Sequence, residues 1–347
     1  ASWDGAAWAP LGAGIAGGWV TTLTECNGLL VAGGSFTTAG GLPANRIASW
    51  DGAAWAPLGA GMNEEVFALA SFDGKLVAGG VFTTAGDVSA SYIAAWDGAS
   101  WAPMGTAAAG VWELAVFNGS LVAAIGYVVS VWDGAAWSPL GTSRSGVKAM
   151  AVFDGALVCG STFETADGSR ACNIAAWDGA SWSSLGTGSD GAIYAMIIYG
   201  GRLIVGGDFH SIDGVRANNI ASWDGYSWEA LDSGVNGPVY SLAVYGINLI
   251  VGGSFTTAGG VSANCIASWN WGWWSALGVG FGVPVYAMAV CEDKLMVGAS
   301  GGASYVVRSW NGTEWSTLWS EYYASGIRVT AMTAYYGWLM VGVTYVP

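Results

Sequence analysis

Short apolar runs alternate with clusters of Gly, Asn, Asp and Ser along the whole chain. One stretch shows the pattern completely: PVYSLAVYGINLIVGGSFTTAGGVSANCIASWNWGWWSALG. It predicts four strands. Strand A covers Val239–Tyr245, strand B Leu249–Phe255, strand C Ile266–Trp269 and strand D Trp274–Leu277. These runs are rich in β-branched and aromatic residues and are bounded by turn formers, as strands require. No run sustains a helical period, so the chain reads as all-β. The strands are apolar almost throughout instead of alternating cleanly. Such strands are covered on both faces.

The four-strand unit recurs. The motif W-[DN]-x-x-x-W occurs eight times, at Trp3/Trp8, Trp50/Trp55, Trp96/Trp101, Trp132/Trp137, Trp177/Trp182, Trp223/Trp228, Trp269/Trp274 and Trp310/Trp315. Most of the C–D connections read W-D-G-x-x-W. A four-residue loop, Asp51–Ala54 in the second copy, sets Trp50 opposite Trp55, and such cross-strand aromatic pairs stabilise a hairpin. A repeat of four antiparallel strands over about 45 residues is the signature of a propeller blade. The expected fold is therefore a single closed eight-bladed β-propeller with four antiparallel strands per blade. Its blades are I (19–59), II (64–105), III (110–142), IV (145–186), V (191–232), VI (237–277) and VII (283–319). Blade VIII is composite, 329–347 plus 1–12, with two strands from each terminus.

The double glycine that ends strand B (Gly33-Gly34, Gly79-Gly80, Gly206-Gly207, Gly252-Gly253) and the Trp that opens strand D resemble kelch-type propellers. The unit is more similar still to repeats of the form VYALAVYNGKLxVGGSFTTAGGVSANxIAxWDG. These occur in secreted or cell-surface proteins, mostly bacterial, with a related repeat in a fungal cortical polarity marker. The resemblance spans the whole chain. It implies that strand A lines a central channel and strand D is outermost. It implies no particular activity, because propellers host many. Strand B departs from the double glycine in blade III (Ile125-Gly126), blade VII (Gly298-Ala299) and blade VIII (Gly342-Val343).

Composition narrows the function. The 347 residues carry 10 Lys and Arg against 24 Asp and Glu, a net charge of −14. That excludes a basic nucleic-acid footprint and a polybasic membrane patch. The one histidine, His210, leaves no second imidazole for the metal sites and nucleophilic mechanisms that need one. No C-x-x-C joins Cys26, Cys159, Cys172, Cys265 and Cys291. Cys159 and Cys172 flank one B–C loop, at positions compatible with a disulfide. The apolar stretch Val329–Pro347 contains Thr and Gly and fits the hairpin pattern, so no membrane insertion is expected.

Strand order puts the A–B and C–D turns at one end of each blade and the B–C and D–A loops at the other. Extra aromatics lie in the turns. Trp271 and Trp273 fall in the C–D hairpin of blade VI, and Trp338 in the A–B turn of blade VIII beside Tyr336. Trp319, Tyr322 and Tyr323 form a second group, assigned to the D–A connection after blade VII. Exposed aromatic clusters mark contact patches. Asp208, His210 and Asp213 share the blade V loop GGDFHSIDG and are weak metal candidates. Asn118 and Asn311 open N-x-[ST] sequons on tight turns.

With 10% charged residues and a mean hydropathy of +0.45, the surface favours association over free solution. The function expected is a non-enzymatic extracellular or cell-surface module for structure, assembly or adhesion, acting through its aromatic turns. Its partners would be other protein subunits, its own kind included, and no cofactor is expected. The alternative is a carbohydrate-binding propeller, with glycans as partners. A hydrolase or lyase using acids of the long-loop face, among them Asp87, Glu164 and Asp167, comes third.

Overall fold

The fold is seen in a computed structural model, which describes residues 2–3, 8–9, 11–142, 147–160, 165–166, 169–170, 172–291, 293–301, 304–322, 327–335 and 338–345. Tyr336 and Tyr323 lie outside the described residues, as do Glu164 and Asp167. Among those described, every regular element is a strand. The strands build four-stranded antiparallel sheets in two compact units, Ala1–Pro139 with Val329–Val346, and Leu140–Arg328 with Pro347.

In each sheet the hydrogen-bonded order follows the repeat, A-B-C-D. In the first unit, repeat II pairs Val66–Phe72, Lys75–Gly80, Ile93–Trp96 and Trp101–Pro103 in that order. This unit also holds a composite sheet, in which Ser2–Trp3 pairs with Trp338–Tyr345 through Ser2↔Met340 and Trp3↔Leu339. In the second unit, repeat VI pairs Val239–Tyr245, Asn248–Gly253, Ile266–Asn270 and Trp273–Ala276. Within each unit the A strands of successive sheets lie side by side.

The core fills the space between neighbouring sheets. Val31 and Ile47 of repeat I pack with Val66, Leu76 and Ala78 of repeat II. Ile204 and Ile220 of repeat V pack with Val239, Leu249 and Val251 of repeat VI. Sheets that neighbour one another within a unit thereby cover each other's facing sides, which explains the continuous apolar strands.

Two motifs are explained by this packing. The paired tryptophans face each other across the C–D hairpin, as Trp50↔Trp55 and Trp223↔Trp228, with the latter ring centroids 5.2 Å apart. The second Trp then reaches the preceding repeat. Its indole N–H donates to the carbonyl of the Leu or Met ending the previous strand D: Trp101 to Leu58 (2.8 Å), Trp228 to Leu185 (2.9 Å), Trp274 to Leu231 (2.9 Å). The double glycine is a clearance requirement. A Cβ on Gly79 would sit 2.5 Å from Val111 Cγ1 of the next sheet, and one on Gly80 would sit 1.9 Å from the Glu65 carbonyl oxygen. Neither approach is tolerable for a side chain.

The B–C segment FTTAGG is more ordered than a loop. Its Phe is fully buried in repeats I, II and V (Phe36, Phe82 and Phe209). The residues after it form a small ladder of their own, such as Thr257–Ala258 with Val261–Ser262. Gly259 and Gly260 close that turn with positive φ (54° and 77°), the backbone of a tight hairpin turn.

Candidate functional site

The extra tryptophans of repeat VI divide into one stacked on the neighbouring repeat and one standing free. Trp271 folds back onto repeat V, stacked on Tyr199 at 4.9 Å and 14° and lying over Gly200. Tyr199 in turn donates its hydroxyl proton to the Ile247 carbonyl at 2.7 Å. Trp271 remains 52% exposed, whereas Trp273 is 74% exposed. Ile247, in the A–B turn of repeat VI, is 74% exposed, and Tyr226, in the C–D turn of repeat V, is 92% exposed. All four lie at the turn end of their sheets.

Repeats II and III present the equivalent slot without its tryptophan. By position in the repeat, Phe72-Asp73 corresponds to Tyr199-Gly200 and Trp132-Asp133-Gly134 to Trp269-Asn270-Trp271. Here the slot is an open cavity of about 480 Å³, walled by these residues with Lys75, Pro103 and Met104.

The other expectations fare differently. Trp319 and Tyr322 are not on a connecting loop, a correction to their expected place. Strand D of repeat VII runs Trp315–Tyr322 and pairs along its length with Ser304–Trp310. Because the B–C turn is short there, both strands extend, and Trp319 packs edge-on against Tyr305 at 4.9 Å. Trp338 opens a strand instead of sitting in the turn before it. Cys159 and Cys172 are not bridged. Cys159 is buried opposite Ala175, while Cys172 stands in the turn three residues earlier. Burial pushes the Cys159 thiol well above its ordinary range.

Asp208, His210 and Asp213 do not form a metal cluster, nor does any group of three His, Cys, Asp or Glu among the described residues. Asp213 caps the Thr187 amide at 2.7 Å. The residue that organises this loop is Asp190, whose carboxylate accepts from the amides of His210 and Ser211. Burial acts to raise its carboxyl, but those hydrogen bonds outweigh it and hold the group below the ordinary carboxylate range. Asn63 and Asn236 cap the same loop in repeats II and VI. Asn118 and Asn311 are exposed on turns, and Asn311 caps the Thr313 and Glu314 amides.

A feature that the sequence analysis missed lies on the A strands. Among the described residues six of them carry a β-bulge at the same register, and the extra residues are Thr21, Phe67, Trp112, Tyr194, Tyr240 and Tyr286. Bulges re-aim a side chain out of the ladder. In the first unit, Phe67 and Trp112 stack at 4.7 Å and 6°, and Trp112 is 49% exposed. In the second, Tyr240 stands between Tyr194 (5.8 Å) and Tyr286 (4.9 Å). Lys148 takes the same repeat position in repeat IV. With the three tyrosines it lines an open cavity of about 310 Å³. One residue beyond Trp112, Glu113 keeps solvent access yet is closely surrounded by protein, and this desolvation pushes its carboxyl up to about 7.

Comparison with known proteins supports the fold. Residues 201–221 match the model of a family described as "Domain of unknown function (DUF5122) beta-propeller". No curated protein matches the chain in sequence. Among solved structures, the computationally designed Ika8 protein is similar over 95% of this chain and 96% of its own, with 19% identity and a TM-score of 0.60. A chain in the crystal structure of the Mitotic Checkpoint Complex matches 79% of this chain and 86% of its own, at 13% identity and a TM-score of 0.52. The structure of U3-55K matches 80% and 88%, at 14% and 0.50. At these identities the likeness shows a β-propeller fold and nothing about activity.

Proposed function

We propose that this chain is a non-enzymatic β-propeller, its eight sheets closed into one ring as blades, which acts outside the cell or at its surface as an assembly module. The carrying observation is the apolar turn end of repeats V and VI, where Trp273, Ile247 and Tyr226 stand in water. Such a patch is costly to leave uncovered, and Trp and Tyr are the side chains that dominate protein contacts. The slot between repeats II and III supplies a counterpart, because Trp271 already fills the equivalent slot within its own chain. Insertion of one copy's Trp273 into that slot of the next is a head-to-tail contact, which propagates into rings or filaments. A net charge of −14 spread over 347 residues opposes this association only weakly at physiological salt.

Light scattering with electron microscopy tests this reading. The native chain is expected to form ordered oligomers, and Trp273→Ser to shift the population to the monomer with an unchanged melting temperature. A native chain that stays monomeric at tens of micromolar (~10 µM affinity is about −7 kcal/mol) overturns it.

A further inference from the structure

We infer a saccharide site on the A strands of repeats IV to VII, formed by Lys148, Tyr194, Tyr240 and Tyr286 and taking a pyranose that carries a carboxylate. It is separate from the turn face and does not depend on the assembly reading.

Recurrence at one register is the first argument. Aromatics make up 13% of the chain, yet they occupy the bulge position in five of the six bulged A strands. A core requirement does not explain this, because the three tyrosines are only half-buried. The inter-sheet core is filled instead by the residues before and after them, such as Val239 and Leu242. Tyrosine also suits the chemistry. Its ring covers the apolar C–H face of a sugar, and its hydroxyl stays wet and polar. Desolvation, and then the negative charge of Asp208, raise the Tyr194 phenol above its ordinary range, so it remains a proton donor at neutral pH.

Size and charge narrow the ligand. A cavity of about 310 Å³ lies at the small end of the ligand-pocket range, room for one or two sugar rings. The order of the repeats places Tyr194 between Lys148 and Tyr240. Tyr240 lies tilted against the Tyr194 ring at 5.8 Å and 37°, and Lys148 lines the same cavity as Tyr194. A pyranose stacked on Tyr194 brings a C5 carboxylate to the Lys148 ammonium, the one charged group among the described residues lining the cavity. Lysine acts there as a point charge and selects for an anion without demanding a planar fork. A single acidic sugar, or the end of a chain, is what this site takes.

Saturation-transfer NMR on the full chain, with methyl β-glucuronide and methyl β-glucoside as probes, tests the site. The glucuronide is expected to bind in the millimolar range and several-fold more tightly than the glucoside. Lys148→Gln removes that preference, and Tyr194→Ala weakens both sugars about tenfold. Trp273→Ser changes neither. Should Tyr194→Ala fail to fold, Lys148→Gln and Tyr194→Phe carry the test, the latter expected to keep the stacking and lose part of the affinity. Absence of transfer to either sugar overturns the site, as does a glucuronide preference that survives Lys148→Gln.

Discussion

Trp228 shows what one residue does in this architecture. Its ring is buried against Trp223, and its indole N–H satisfies the carbonyl of Leu185 in the preceding repeat. Removing the donor while keeping a ring strands a buried acceptor, which costs about 1–3 kcal/mol. Trp228→Phe is therefore expected to lower stability by that amount in urea unfolding, with the fold intact by circular dichroism. Glu113 makes a different prediction. Its folded value of about 7 lies above its ordinary 4.5, so between these limits the folded chain binds more protons than the unfolded one. This contribution is fully present below pH 4.5 and is lost as pH rises through 7. Glu113→Gln should flatten the melting temperature across that window; an unchanged slope would reject the assignment.

At the scale of the element, the C–D hairpin is the best-determined unit. Asp51 accepts the amides of Ala53 and Ala54, both at 2.8 Å, and closes the four-residue turn that brings Trp50 opposite Trp55. Asp97, Asp133, Asp178 and Asp224 repeat this turn, and in all five the turn amides hold the carboxyl below its ordinary 3.8. A depressed carboxyl contributes stability above its unfolded value and loses it as pH falls through the folded one. Acid unfolding is thus expected to steepen below about pH 4. Asn311 makes the same caps in repeat VII, so Asp→Asn should keep the hairpin and remove its acid sensitivity. Melting scans of Asp224→Asn between about pH 2 and 5 check this. The B–C segment was less legible. Its Gly-Gly turn marks a tight reversal, but whether the flanking pairs join a ladder depends on the anchoring of Phe36, Phe82 or Phe209 in the core.

At the scale of the whole molecule, inter-sheet contact within each unit is the source of stability, since neighbouring sheets there cover each other. Ile220 is fully buried in the second unit, within the cluster shared by repeats V and VI. Ile220→Ala is expected to cost about 2–5 kcal/mol by chemical denaturation, the range for a buried large-to-small change. The two sets of surface aromatics belong to this scale as well. The assembly proposal rests on those in the turns and the saccharide proposal on those of the bulged A strands, so variants in one set should leave the other's readout unchanged.

Periodicity alone determined the all-β class, the four-strand unit, the paired tryptophans and the opposition of the two termini in one sheet. These follow from local rules, because turn chemistry and strand register act within a few residues. The aromatic row was also written in the sequence, as the residue after the Val or Ile that opens strand A. Nothing local distinguishes it from an ordinary strand position, since a bulge is created by pairing with strand B. The separation of Trp271 from Trp273 was decided in tertiary structure too. They are two residues apart in one hairpin, Trp271 in its turn and Trp273 opening strand D, and the Tyr199 ring of the neighbouring repeat covers one face of Trp271 while Trp273 stands in water. The same holds for Cys159 and Cys172, whose loop spacing allows a bond, while the strand register sets Cys159 opposite Ala175 and both thiols are free. Covalent neighbours and turn residues are visible along the chain, whereas the choice of which side chain meets which is made by the sheet beside it.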